Sequence, residues 1–262
     1  MALSFSTKLK LFLRSIKILK NWYLYPIVYF KLTKKPFVFF KTKTGLKLKI
    51  RTLPSTDIHV FTEIWLMNEY LKHGIKIKKE DIVIDIGSHI GLFSTFVSHF
   101  CKKGKIICYE PNKDNYKLLL ENKQNNNLEN VIINNLAVSS KSGYVKLFLH
   151  DKDFSSHSLH KQSDSWVNVK AITLKEIFEN NNITKCDFLK MDCEGTEYEI
   201  LMNLDDTHLK KIDKICFEFH NIENNPFSIK DIIKKLNLNG FLVKKTSNNG
   251  NGIIYAIQKT NL

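Results

Sequence analysis

Residues 81–93, DIVIDIGSHIGLF, place an acid and two glycines at the end of an apolar run. Asp85 stands two residues before Gly87, and Gly91 follows four residues later. Glycines in such a turn let the backbone bend tightly and bring its amides close to a ligand at the start of a helix. The middle glycine of the dinucleotide fingerprint G-x-G-x-x-G is replaced here by His89, and an acid before the turn repels a pyrophosphate. We therefore expect a ligand that is positively charged and lacks phosphate.

A second acid, Glu110, ends the run KIICYE nineteen residues after Gly91. An acid at the tip of the second strand can accept hydrogen bonds from both hydroxyls of a ribose, whether in NAD or in S-adenosylmethionine. S-adenosylmethionine carries an ammonium and a sulfonium and no phosphate, which suits Asp85. The two acids together favour S-adenosylmethionine, and a strand-to-helix turn without a ligand is the alternative.

Four further polar side chains are expected at the ends of later strands. Asp192 and Glu194 follow CDFLKM, and Glu218 and His220 lie at the end of KICFEF. Ligands of open α/β sheets bind outside the carboxyl ends of the strands, so all four should converge on the rim that holds Gly87. His220 can take a proton from a hydroxyl near pH 7, with Glu218 or Asp192 orienting the imidazole. Asp192 is the second candidate base, or it holds the methionine ammonium. The structural alternative is that Glu218 and His220 only secure the loop after the fifth strand.

The elements that must position these residues are predicted from residue 81 onward, where apolar runs alternate with amphipathic helical patterns. The runs are IVIDI, KIICYE, VIINNLAV, CDFLKMD, KICFEF, FLVKK and GIIYAIQK. Continuous apolar runs separated by helices predict a mostly parallel seven-stranded sheet covered on both faces. The turn TSNNGNG predicts that the last two strands form an antiparallel hairpin. The expected fold is therefore α/β, Rossmann-like, of the class I methyltransferase type.

The net charge of +14 belongs to the N-terminal part of the chain. Residues 1–79 hold 17 Lys/Arg and 3 Asp/Glu, whereas residues 80–262 hold 23 of each. We expect a basic N-terminal extension over residues 1–79, made of an amphipathic helix, a small hairpin turning at Gly45 and a helix closed by Gly74. Residues 80–262 are expected to form the S-adenosylmethionine-dependent domain. A basic extension is attracted to polyanions, namely a phospholipid surface, an anionic glycan or nucleic acid.

The amphipathic helix is predicted over residues 8–22. Its apolar positions follow the spacing of one helix face and are Leu9, Phe12, Leu13, Ile16 and Leu19. Two interpretations stay open, since a helix lying on an anionic membrane interface and a helix packing on the main domain have the same pattern. The apolar run at 22–30 is too short to span a membrane. With no signal peptide evident, we expect a cytoplasmic location, with peripheral membrane contact through residues 8–22 as the open alternative.

Cysteine and histidine usage gives no sign of a metal site. The five cysteines are odd in number and form no C-x-x-C pair, which indicates buried thiols in a reducing compartment. The acids near the fourth strand lack a convincingly spaced third ligand, so no metal is expected. His150, His157 and His160 flank the serine-rich stretch FSSHSLH, which is either a lid over an acceptor pocket or a solvated loop.

Five blocks of the sequence resemble the FkbM family of methyltransferases. In order they are DIGSHIG, YEPNKDN, LAVSS…SG, FLKMDCEGTEYEIL and FEFH, between about Arg51 and His220. The K-x-D-x-E-G-x-E core is the most specific of them. The resemblance implies a class I, S-adenosylmethionine-dependent methyltransferase of a group associated with O-methylation of hydroxyls on small metabolites or sugars.

The resemblance also implies roles for individual residues. The loop beside the methionine part of the cofactor corresponds to Asp85, Gly87, Ser88 and Gly91. Glu110 corresponds to the ribose acceptor, and Asn135 and Ala137 to the adenine edge. The signature acids correspond to Asp192, Glu194 and Glu197, preceded by Lys190, and the E-x-H pair to Glu218 and His220. This chain has Ser88-His89 where the family more often has Ala-Asn.

The expected function is methyl transfer from S-adenosylmethionine to a hydroxyl oxygen of a sugar, glycolipid or small metabolite. One alternative is an RNA methyltransferase that grips phosphates with the basic extension. Against it, MDCEG stands at the fourth strand in place of the D/N-P-P-Y/F signature of amino-group methylation. The other alternative is a non-catalytic, membrane-associated protein that retains the fold.

Overall fold

A seven-stranded sheet forms the centre of the fold. The computed structural model describes residues 4–53, 56–150, 157–159, 163–220, 225–248 and 251–261. The strands are β1 (Phe37–Lys41), β2 (Lys47–Arg51), β3 (Ile82–Ile86), β4 (Lys105–Tyr109), β5 (Val131–Asn134), β6 (Ala137–Val138), β7 (Gly143–Phe148), β8 (Trp166–Ile172), β9 (Phe188–Met191), β10 (Lys214–Phe219), β11 (Phe241–Asn248) and β12 (Asn251–Gln258). The α-helices are α1 (Phe5–Ile18), α2 (Leu24–Tyr29), α3 (Asp57–Phe61), α4 (Leu92–Ser98), α5 (Lys113–Asn125), α6 (Leu174–Asn180), α7 (Glu197–Asn203), α8 (Asp206–Leu209) and α9 (Ile229–Leu238).

The order of the central sheet is β11-β12-β10-β9-β3-β4-β5. Strands β3, β4, β5, β9 and β10 pair in parallel, while β12 runs antiparallel to β10 and forms a hairpin with β11. Apolar side chains cover both faces, with α4, α5 and the N-terminal elements on one side and α6 to α9 on the other. Burial on both faces explains why the parallel strands appear as continuous apolar runs. The order confirms the predicted Rossmann-like class I fold with its C-terminal antiparallel hairpin.

The predicted N-terminal hairpin is present as β1 and β2. Gly45 has a φ of +96°, which the turn requires. The outer edge of β2 is covered by amides of α5, because the Asn122 and Asn126 side chains accept from the Lys49 and Lys47 backbone N–H groups at 2.7 and 2.6 Å. One buried core runs from α1 through this hairpin to β3 and α4, so the N-terminal part packs directly on the main sheet. The division of the chain at residue 80 stays a prediction about sequence organisation.

The single helix expected to end at Gly74 is instead divided. Helix α3 passes into one turn of π-helix, Thr62–Leu66, and a short 3₁₀ turn, Glu69–Leu71, follows. Asn68 between them has a left-handed φ of +54°. Where α3 ends, the Thr62 hydroxyl donates to the Ile58 carbonyl at 2.7 Å, a contact that commonly distorts helices. Local periodicity predicted a continuous helix here, and this contact together with the left-handed Asn68 interrupts it.

Helix α1 begins at Phe5 and ends at Ile18, earlier than the predicted range of 8–22. It packs on the protein through Leu11 and Ser15, which are buried. Of the five positions in the predicted apolar face, only Leu19, just after the helix, is fully buried. The predicted apolar face is therefore not the main packing face of the helix.

A three-stranded sheet, β6-β8-β7, follows the third parallel strand and was not predicted. Its strands β7 and β8 pair antiparallel and bury a small cluster around Leu147 and Val169. The serine-rich stretch predicted as a lid or loop lies between these strands. Residues 151–156 and 160–162 of that region, including His160, lie outside the described residues.

Candidate active site

The turn after β3 depends on its two glycines. Gly87 has a φ of +72°, and a Cβ there would lie 1.8 Å from the carbonyl oxygen of Asp192. Gly91 has a φ of +81°, and a Cβ there would lie 2.4 Å from Leu119 Cδ1. The backbone N–H groups of Gly87 and Ser88 both donate to the Tyr109 carbonyl, at 3.0 and 3.1 Å. The turn is thereby held against the end of β4, with β9 directly behind it.

Asp85 lies behind this turn and pairs with a lysine. Its side chain is fully buried, and Lys190 Nζ on the neighbouring strand lies 3.2 Å from its Oδ1. Lys190 Nζ also donates to the Gly87 carbonyl at 2.8 Å. Burial by itself lowers the pKa of Lys190, but the carboxylates of Asp85 and Asp192 outweigh burial and raise this pKa above its usual value. The cation that Asp85 meets is therefore Lys190, and the expectation that Asp85 faces the ligand directly is wrong.

Glu110 lies in the cleft at the tip of β4. Its Oε2 accepts from the His89 backbone N–H at 2.8 Å, and its Oε1 from that of Asn112 at 2.9 Å. Burial raises the pKa of Glu110 to about 7, against the lowering effect of these hydrogen bonds. Asn135 donates through Nδ2 to the carbonyls of Glu110 and Pro111 at 2.9 and 3.0 Å. Asn135 thus fixes the turn that carries Glu110.

His89 connects the glycine turn to the N-terminal part of the chain. Its Nε2 lies 2.9 Å from Arg51 Nη2, which also donates to Asp57 Oδ1 at 2.8 Å. Burial is the main cause that lowers the pKa of His89 to about 4, so the imidazole is neutral at pH 7. A guanidinium can only donate, so Nε2 accepts and the proton lies on Nδ1. That Nδ1 has no hydrogen-bond partner among the described residues, and the ring lines the cleft.

The cleft brings together part of the predicted cofactor set. The predicted residues that line it are Gly87, Ser88, Glu110, Ala137 and Asp192. Apolar side chains, Val138 and Leu147, complete the side near Ala137. Gly91 and Asn135 shape the cleft from behind, since Gly91 packs against Leu119 and Asn135 holds the turn of Glu110. These residues fit a nucleoside that is positively charged and lacks phosphate, because carboxylates line the cleft and the close-approach glycine of a pyrophosphate site is absent.

Tyr70 links the cleft to the predicted catalytic acids. Its hydroxyl lies 2.9 Å from Asp192 Oδ2 and 2.6 Å from Glu218 Oε1. Burial, followed by the charge of Asp192, raises the pKa of Glu218 well above its usual value. The Tyr70 hydroxyl thus bridges the two carboxyl groups. Sequence reasoning missed Tyr70, since nothing in NEYLKHG distinguishes it from a core tyrosine.

A larger cavity of about 850 Å³ lies on the other side of this cluster. Glu218 and His220 line it, together with His59, Glu63 and Glu69 from the N-terminal part. His220 Nε2 lies 3.8 Å from Glu194 Oε2, and its Nδ1 is buried with no hydrogen-bond partner in the described part of the chain. The structure therefore separates the predicted residues into a cleft with Asp192 and a cavity with Glu218 and His220.

The signature acid Glu197 organises the loop between β9 and α7. Its two carboxylate oxygens accept from the backbone N–H groups of Cys193 and Gly195 at 2.5 and 2.7 Å, and its side chain is fully buried.

His157 lines the cleft, and its Nδ1 accepts from the His150 backbone N–H at 3.1 Å.

Across the described ranges, no group of three or more His, Cys, Asp or Glu side chains is arranged to hold a metal ion. No helix in the same ranges is long and apolar enough to cross a membrane.

Comparison with curated proteins finds methyltransferases. Hexuronic acid methyltransferase AglP from Haloferax volcanii is 27% identical over 144 residues, which are 55% of this chain and 57% of that protein. The 31-O-demethyl-FK506 methyltransferase FkbM from Streptomyces tacrolimicus is 20% identical over 217 residues, covering 70% of this chain and 81% of the relative. The chain thus spans little more than half the length of the archaeal protein.

Comparison with solved structures also finds a methyltransferase. The crystal structure of methyltransferase FkbM from Methylobacillus flagellatus superposes with a TM-score of 0.48 at 14% identity, covering 78% of this chain and 54% of that one. The fold class rests on the sheet order of the chain itself.

A sequence model of the methyltransferase FkbM domain matches residues 85–243. The matched range contains the glycine turn, Glu110, the signature acids and the E-x-H pair. The match confirms the methyltransferase class and the cofactor expected from the sequence, S-adenosylmethionine. Because it covers more than half of the chain, this chain belongs to the FkbM methyltransferase family.

Proposed function

We propose that this chain transfers a methyl group from S-adenosylmethionine to a hydroxyl oxygen of a sugar, glycolipid or other hydroxyl-bearing metabolite. The observation that carries the proposal is the Tyr70 hydroxyl, which contacts one acid of the narrow cleft and one acid of the larger cavity. A cofactor in the cleft and an acceptor in the cavity would meet at this point.

The cleft residues take the cofactor in a defined direction. Glu110 accepts from the ribose hydroxyls, and the apolar side near Ala137 packs against the adenine. The Asp192 carboxylate, with 28% of its side chain exposed, receives the ammonium of the methionine part. The Nδ1–H of His89 supplies a donor for the methionine carboxylate, in the position where the family more often has asparagine. Asp85 acts through Lys190, which holds the glycine turn in place.

The larger cavity suits a hydroxyl-rich acceptor. Burial, then the charges of Asp192 and Glu69, raises the pKa of Glu63 to about 7. Glu63, Glu69 and Glu218 offer carboxyl groups to the hydroxyl groups of the acceptor. The names of the two relatives, which refer to a hexuronic acid and a 31-O-demethyl compound, support an oxygen acceptor for this chain as well.

His220 is the proposed general base. When bound, S-adenosylmethionine would supply the methyl group, and His220 would take the proton that the acceptor hydroxyl loses as its oxygen is methylated. The Glu194 carboxylate, 3.8 Å from Nε2, stabilises the imidazolium that results. Glu218 contacts the Tyr70 hydroxyl, so it acts with Tyr70 in positioning the acceptor.

The experiment compares His220→Gln with the wild-type protein and with a control, His99→Gln. His99 is exposed and follows the C-terminal end of α4, whereas the glycine turn lies at the N-terminal end of this helix. Calorimetry measures binding of S-adenosylmethionine, and transfer of labelled methyl groups is followed against extracts of lipids, glycans and small metabolites. We expect the His220 variant to bind the cofactor as the wild type does and to lose about 10²–10⁴-fold in transfer rate. Unchanged transfer by this variant would remove His220 as the base, and no cofactor binding by the wild type would refute the proposed function.

A further inference from the structure

The exposed face of α1 is apolar. Phe5 is 82% exposed, and Leu9 and Leu13 are 48% and 50% exposed. The helix packs on the protein through Leu11 and Ser15, which lie on another face. Packing among the residues that the structure describes therefore leaves this apolar stripe uncovered.

Helix α2 and the residues after it extend the same surface. Phe30 and Leu32 are 57% and 73% exposed. Between α1 and α2 lies a groove of about 270 Å³ lined almost wholly by apolar side chains, among them Phe12 and Tyr29. We call this the apolar N-terminal surface, formed by Phe5, Leu9, Leu13, Phe30 and Leu32 around the groove. An uncovered apolar area of this extent on a folded protein marks an interaction site.

Every charged side chain within residues 4–35, the segment that carries the apolar N-terminal surface, is positive. The exposed basic residues in this part of the chain are Lys10, Arg14, Lys17, Lys20, Lys31, Lys34 and Lys35. The first carboxylate in the sequence is that of Asp57. A helix with lysines beside an exposed apolar stripe has the composition of helices that lie in the headgroup region of anionic membranes. Nucleic acid would neutralise the lysines but leave the leucines and phenylalanines in water.

We propose that the apolar N-terminal surface docks on an anionic phospholipid bilayer, with α1 lying in the plane of the interface. The apolar side chains enter the acyl boundary, and the lysines meet the lipid phosphates. Lys8 and Tyr29 line both the groove and the 850 Å³ cavity, so docking brings the mouth of that cavity to the membrane surface. It follows that the acceptor hydroxyl is carried by an amphiphile held at the bilayer, a step that rests on the proposed function.

The test is sedimentation of the full chain with vesicles of phosphatidylcholine alone or mixed with phosphatidylglycerol. We expect binding to the anionic vesicles, weakened by salt. The double variant Leu13→Glu with Phe30→Glu should bind at least about tenfold more weakly, because it removes two apolar contacts and adds two negative charges. The control is Tyr144→Glu, since Tyr144 is 79% exposed on β7, outside this surface. Thermal unfolding of all three proteins checks that the fold is kept.

Three results would overturn the docking proposal. One is a wild-type chain that stays in solution with both kinds of vesicle, and another is equal sedimentation of the wild type and the double variant. The third is a preference for single-stranded RNA over anionic vesicles that the double variant abolishes. Calorimetry with S-adenosylmethionine on the same proteins separates membrane docking from the proposed methyl transfer. The substituted residues are exposed and lie outside the cleft, so cofactor binding tests the proposed function alone.

Discussion

Replacing Glu110 by glutamine tests the cofactor cleft most directly. Glu110 Oε2 accepts from the His89 backbone N–H, and Oε1 accepts from that of Asn112 and, at 3.5 Å, from Asn115 Nδ2. A ribose hydroxyl can replace this long Asn115 contact at Oε1, and Oε2 keeps capacity for the other ribose hydroxyl. Glutamine has one carbonyl oxygen, so its amide nitrogen must face a backbone N–H that it cannot bond. The substitution removes the negative charge and one of the two acceptors without changing the volume of the side chain.

The expected decrease in affinity follows from the hydrogen bonds at stake. Hydrogen bonds to a charged group contribute about 1.5–3 kcal/mol each. Because the variant cannot form one of the two ribose hydrogen bonds and forms the other with a neutral acceptor, cofactor binding should weaken by about 2–4 kcal/mol, or about 30- to 1,000-fold in Kd. The matched control is Glu129→Gln, because Glu129 is exposed just before β5 and lies outside the cleft.

The pH dependence gives the same prediction a second readout. The folded-state pKa of Glu110, about 7, lies above the usual value of 4.5, chiefly because of burial. Protonated Glu110 stabilises the folded state fully below pH 4.5. This contribution, about 3 kcal/mol at most, is lost as pH rises through about 7. Ribose hydroxyls need the ionised carboxylate, so cofactor affinity changes in the opposite direction and rises through the same range.

Calorimetric titration with S-adenosylmethionine between pH 5.5 and 8.5, together with thermal unfolding of the unliganded proteins, measures both effects. The Glu110→Gln variant should show weak, nearly pH-independent binding and an unfolding midpoint within about 5 °C of the wild type at pH 7. Wild-type affinity in the variant, with its fold intact, would refute the assignment of Glu110 to the ribose. Affinity that falls as pH rises would contradict the sign derived from burial.

Two further substitutions test the geometry around this cleft. Tyr70→Phe removes the hydroxyl between the two acids, and we expect it to raise the KM for the acceptor and lower kcat by about tenfold while cofactor binding stays within about threefold. The control in steady-state assays is Tyr144→Phe, at an exposed site. Equal KM and kcat in the two variants would rule out a role for the Tyr70 hydroxyl. Gly87→Ala places a Cβ 1.8 Å from a backbone carbonyl, so chemical denaturation should show a loss of stability of several kcal/mol. The control is Gly45→Ala, because Gly45 also has a positive φ but a Cβ there meets no atom within 4 Å. We expect the loss at Gly87 to be at least about twice the loss at Gly45. Equal losses at the two glycines would show that the close approach of β9 is not as the structure has it.

The parallel strands and the glycine turn could be predicted from sequence because their signals are local. Strands buried on both faces are continuous apolar runs, and a turn that requires positive φ contains glycine, as at Gly87. The acids at strand tips could also be placed on one rim, since the ends of parallel strands share an edge. The prediction failed for Asp85, because its partner Lys190 becomes its neighbour only when β3 and β9 pair.

The residues that sequence reasoning missed act over long separations along the chain. Tyr70 reaches Asp192 and Glu218 across 122 and 148 positions. Its placement depends on the break at Asn68, where the helical periodicity predicted a continuous helix. The contact of Arg51 with His89 likewise spans 38 positions and joins the hairpin to the glycine turn. No local pattern encodes such contacts, so only the folded structure reveals them.

The residues of the site come from two parts of the chain, the range matched by the family and the segment before it. The family match begins at residue 85 and includes the cofactor turn, Glu110 and the acids after β9 and β10. Tyr70, Glu63 and the Arg51–Asp57 pair come from the preceding segment, yet they contact or face the same acids and the same turn. The larger cavity is walled on one side by this segment, so we expect changes at its cavity-lining residues, such as Glu63, to alter the choice of acceptor. The same segment carries the apolar N-terminal surface, so the two proposals together predict that the choice of acceptor and membrane docking both depend on residues ahead of the family match.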